Sequence, residues 1–101
     1  MEHGIKFVLL YWLKDKSVVE EIKEAMWKMK DVSVVRDMVV GTPSEISDDV
    51  VDGSYDIGAV MTIGSKEDFH VLFESEAHMS MGKAIAERQL AEKMQGFMIK
   101  Y

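Results

Sequence analysis

The 101-residue sequence contains no cysteine. That removes disulfides, thiolate metal sites and cysteine nucleophiles together, and it fits a reducing, cytoplasmic compartment. There is a single proline, Pro43. No apolar run approaches the roughly 20 residues of a membrane helix, so no membrane association is expected. Met1-Glu2-His3 lacks the basic start and long apolar stretch of a signal peptide. Basic blocks are missing too, and the net charge is −6, so nucleic acid is not an expected partner. What remains is 48% hydrophobic and 30% charged, a globular composition for one domain over residues 1–101.

The apolar content is concentrated in Ile5 to Leu13, which reads as a strand without a polar face. Ile5, Phe7, Leu9, Tyr11 and Leu13 share one side; Val8, Leu10 and Trp12 share the other. Both faces of such a strand must lose water. Ser17-Val18-Val19-Glu20 reads as a capping box opening a helix over about Val18 to Met29. Val32 to Gly41 reads as a second strand, Ser44 to Gly53 as a long acidic loop, and Tyr55 to Ile63 as a third strand. Ser65 starts a short helix with Phe69, Leu72 and Phe73 as its apolar stripe. A break at Glu74-Ser75-Glu76 precedes a helix from Ala77 to about Met94, which Gly96 can end. Phe97 to Tyr101 reads as a terminal strand. The nine methionines are expected mainly as core fillers.

The order is strand, helix, strand, strand, helix, strand. Two helices cover only one face of a four-stranded sheet. The other face, with Val8, Leu10, Trp12 and Val60, would stay wet, and a second copy of the chain covers it most simply. A homodimer with these four residues at its interface is therefore expected.

The strand Ile5-Lys6-Phe7-Val8-Leu9-Leu10-Tyr11-Trp12-Leu13-Lys14-Asp15, the later Tyr55-Asp56 strand, and Phe73-Glu74-Ser75-Glu76-Ala77-His78 together resemble the stress-responsive A/B barrel (Dabb) family. The resemblance covers nearly the whole chain. It implies an α+β, ferredoxin-like βαββαβ protomer with a four-stranded antiparallel sheet and two helices on one face, paired into a dimeric α/β barrel. Cyclase-type members use ring and phenol groups in a cavity between sheet and helices. The matching positions here are Phe7, Ile57, Leu72 and His78, of which only His78 is polar. A His-Pro-x-His pattern of the family becomes Ser75-Glu76-Ala77-His78. The implied function is binding of a small apolar or aromatic molecule, with a dimeric stress-response module lacking catalysis as the alternative.

His78 is the best candidate for chemistry, since a neutral imidazole beside an apolar cavity can act as a general base. A histidine that merely hydrogen-bonds at a helix start is the competing reading. Tyr11, Tyr55 and Tyr101 could supply a phenol donor, although buried tyrosines commonly just satisfy their hydroxyl. Phe7, Tyr11, Tyr55, Ile57, Leu72 and His78 are the expected ligand-binding set. Asp48, Asp49 and Asp52 lack the spacing of a calcium loop, and the histidines show no zinc pattern, so neither metal nor cofactor is expected.

Overall fold

The computed structural model describes residues 3–46 and 48–101. Met1 and Glu2, on which the signal-peptide reading falls, and Ser47 of the acidic loop lie outside the described residues. The strands are β1 (Ile5–Leu13), β2 (Asp37–Gly41), β3 (Ile57–Ile63) and β4 (Ala91–Lys100). The helices are α1 (Val19–Trp27), α2 (Lys66–Phe73) and α3 (Glu76–Glu87). The sheet order is β2-β3-β1-β4, antiparallel throughout. This is the α+β ferredoxin-like arrangement expected from the sequence.

Strand register sorts the sheet into rows, because paired residues share a face. Phe7 pairs with Met61 and Leu9 with Ala59, and this face meets the helices. Leu13, Met26, Met29, Ile57, Met61, Ile63 and Leu72 are its fully buried centre. On the opposite face one row crosses all four strands: Val39, Val60, Val8 and Phe97. Val39 is 66% exposed and Phe97 51%, so that face has no cover within the protomer. The molecule is accordingly a slab of 37 × 35 × 17 Å, a sheet with one helical layer.

Several boundaries differ from the sequence reading. The first cap is Asp15, whose carboxylate accepts from the Ser17 N–H at 2.9 Å; Ser17 itself donates its hydroxyl to Asp15. Lys16–Val18 is therefore a 3-10 turn leading into α1, and no side chain caps Val18. The second strand begins only at Asp37, since Lys28–Asp31 forms another 3-10 turn and Val32 to Arg36 carries the chain back to the sheet. The third strand begins at Ile57 rather than Tyr55. The last helix stops at Glu87 and the final strand starts at Ala91. Gln89, at φ 51°, makes that reversal; Gly96 sits inside β4 opposite Leu9.

Candidate functional site

The serine caps position the helical half of the site. Ser65 accepts from the Asp68 N–H at 3.2 Å and Ser75 from the His78 N–H at 3.3 Å, so α2 and α3 start where the sequence indicates. Ser75 also donates to the Leu72 carbonyl at 2.6 Å, which locks the turn between them. His78 thus lies in the first turn of α3, its ring stacked on Phe73 with centroids 4.5 Å apart. Phe73 packs on Phe69, and Phe69 meets Phe7 edge to face at 5.3 Å.

From His78 onward, Gly82, Ile85, Ala86 and Gln89 recur at helical spacing and line one groove, of about 430 Å³. Its other wall is Tyr11, Ala91 and Met94, with Lys14 at the end of β1. The groove exists because the α3 face is small there. A Cβ built at Gly82 meets nothing within 4 Å. Glycine inside a helix costs about 1 kcal/mol relative to alanine, so this open space is not a by-product of good helix formation. Gly82, His78 and Phe73 also line an adjoining hollow with Met79 and Lys83.

Two of the groove's polar side chains are His78 and Tyr11. The His78 Nδ1 lies 3.0 Å from the Phe73 carbonyl oxygen. A carbonyl only accepts, so Nδ1 carries the proton and Nε2 is left as an acceptor. Desolvation pushes the His78 pKa down, outweighing the bond to Phe73, which raises it. The imidazole is therefore neutral at pH 7. Tyr11 is only 4% exposed, and burial alone pushes its pKa up, so it stays a protonated phenol.

The expected ligand-binding residues separate into three groups. Tyr11 and His78 share the groove. Phe7, Ile57 and Leu72 are buried in the core. Tyr55 lies on the other side of the sheet, near Trp12, Leu10 and Val60. Gly82, Lys14 and Gln89 were not expected; a glycine inside an otherwise helical run was the available signal for the first. The interface set of Val8, Leu10, Trp12 and Val60 does share the uncovered face, and register adds Val39, Phe97 and Ile99 to it. Trp12 is held at its margin: its Nε1 donates to the Ser54 hydroxyl at 2.9 Å, and the Lys93 ammonium sits 4.6 Å from its ring.

In the acidic loop, Asp48 and Asp52 accept the backbone N–H groups of Val50 and Ser54, at 3.0 and 2.9 Å. These carboxylates serve the turns of the loop. Among the described residues no three side chains cluster as a metal site. No helix among them is long and apolar enough to cross a membrane.

Neither a protein-family model nor a curated protein matches the sequence. Solved structures do match. A dimeric ferredoxin-like protein of unknown function from Bacteroides fragilis superposes with a TM-score of 0.74 at 22% identity, over 97% of this chain and 96% of the other. A Dabb family protein from Mesorhizobium loti gives 0.66 at 15%, over 97% and 96%. A hydroxynitrile lyase from Passiflora edulis gives 0.76 at 15%, over 100% and 95%. The structural neighbours are thus Dabb family and dimeric ferredoxin-like proteins, most of unknown function and some of them enzymes. At these identities the likeness establishes the fold.

Proposed function

We propose that this chain works as a homodimer, each protomer binding a small apolar or aromatic molecule in the groove between α3 and the β1–β4 pair. One observation carries the ligand reading. A neutral imidazole acceptor and a buried phenol donor line the same apolar groove, where α3 leaves room at Gly82. A hydroxyl on an apolar ligand would donate to the His78 Nε2 and accept from the Tyr11 hydroxyl, while Phe73 and Met94 flank its body. The volume lies within the range of small-molecule sites, roughly 300–1,000 Å³.

The uncovered face supports the homodimer. A few hundred Å² of apolar surface per protomer contributes several kcal/mol at roughly 25 cal/mol/Å², before association costs. The Bacteroides fragilis neighbour is described as dimeric. Pairing the two outer faces would make a closed barrel and leave both helix-side grooves open to solvent.

Calorimetric titration with naphthol, an aromatic body with one hydroxyl, tests the groove. Wild-type protein binds it, and His78→Ala and Tyr11→Phe each weaken binding by about 1–3 kcal/mol, the cost of a buried polar group left unpaired. Unchanged affinity in both variants would return His78 and Tyr11 to purely structural roles. A second reading, a dimeric module acting by interaction alone, is favoured by the extent of the outer face; it predicts no binding at the groove.

A further inference from the structure

We infer that the groove takes an anionic ligand: an apolar or aromatic body carrying a carboxylate, with Lys14 as the counter-ion and the Tyr11 hydroxyl as a donor. This rests on the small-molecule reading above and names the class of molecule.

The charge distribution points there first. The chain carries 18 acidic residues against 12 basic ones, yet no aspartate or glutamate lines this groove. Its polar groups are an ammonium, a phenol, a carboxamide and a neutral imidazole. In a protein of net charge −6, a groove lined by an ammonium and no carboxylate lets an anion approach without close repulsion.

Lys14 is also placed by the backbone. Its N–H donates to the Leu90 carbonyl at 2.9 Å, beside the Leu13–Ala91 pair, which clamps the end of β1 against the turn after α3. The neighbouring cations are differently engaged. Lys16 pairs with Asp56 at 2.7 Å, and Lys83 lies 3.9 Å from Glu87. Lys14 forms no ion pair among the described residues. Lys14 lies three positions beyond Tyr11, just past the end of β1, where the register shifts between Trp12 and Leu13; both residues line the groove and can address one end of a ligand whose body lies over Gly82 and Ala86. Gln89, turned at the same end by its positive φ, adds a carboxamide. A carboxylate there accepts from the phenol and pairs with the ammonium; neither bond is available to a neutral hydrocarbon.

The competing role for Lys14 is to oppose the negative end of α3 without any ligand. Titrations with naphthoate and naphthamide, equal in shape and different in charge, separate the two. The inference predicts that wild-type protein prefers naphthoate by roughly tenfold or more, as a charge-assisted contact requires. Lys14→Gln should abolish that preference while keeping the amide affinity. Gly82→Leu should abolish binding of both probes with the helical circular dichroism unchanged. Equal affinity for acid and amide, or a preference that survives Lys14→Gln, overturns the charge assignment and leaves the small-molecule reading standing. Failure of both probes to bind, or binding undisturbed by Gly82→Leu, overturns both.

Discussion

The Nδ1 of His78 is committed to the Phe73 carbonyl at 3.0 Å, and that bond decides which nitrogen is left to accept. Desolvation lowers the pKa of the ring below its ordinary 6.5. The folded-state value therefore lies under the unfolded one. Stability tied to the neutral ring is fully present above the unfolded value and is lost as pH falls through the folded one. An NMR titration of His78 should show a midpoint below 6.5, and His78→Gln should flatten the stability profile in that window; a midpoint at or above 6.5 would contradict the half-buried, neutral ring. The sequence made His78 legible through its place at the start of the second helical segment, in the Phe73-to-His78 stretch that carries the family resemblance. It did not make Tyr55 legible. Asp56 accepts from the Leu13 N–H at 2.6 Å and from the Lys16 ammonium at 2.7 Å. Desolvation works to raise the Asp56 pKa, but these two bonds outweigh it and hold the carboxylate low. They draw residue 56 out of strand alternation, so parity counted from Ile57 does not extend to Tyr55.

Elements were legible where a local pattern was strong, as in the apolar run of β1 and the Ser65 start of α2. They were misread where composition carries no stop. Residues 84–94 are mostly good helix formers, so propensity runs on past Glu87. The ending is set instead by Gln89 in the left-handed region and by pairing of β4 with β1, which is tertiary information. A non-glycine residue there is strained, and a β-branched one more so. Gln89→Gly should raise stability by about 0.5 kcal/mol, roughly 2–4 °C in a domain of this size, and Gln89→Val should lower it. Thermal melts check the order; a valine variant as stable as the glycine one would refute it. The acidic loop is a second case. With Asp48 and Asp52 used as turn acceptors, millimolar calcium should leave the melting temperature nearly unchanged, because a tight ligand would stabilise the fold by mass action. A large rise, abolished by Asp48→Asn with Asp49→Asn, would reverse that conclusion.

At the scale of the whole molecule, one sheet has two faces with different tasks. The helix side closes a core and leaves a groove where α3 carries Gly82 and Ala86. The other side carries the row Val39, Val60, Val8 and Phe97, with no cover from the chain itself. The sequence exposed this division through a first strand apolar on both sides. It could not show how far the outer patch reaches, because Phe97 and Val39 join it only through register. Leu10→Glu, at the middle of that face, should break the dimer by placing a charge where apolar cover is needed. Native mass spectrometry of protein purified under mild conditions tests both tasks together. The prediction is a dimer carrying extra small-molecule mass, with that mass lost in His78→Ala and the dimer lost in Leu10→Glu. A bare monomer in the wild-type spectrum, or a bare dimer, would contradict the account.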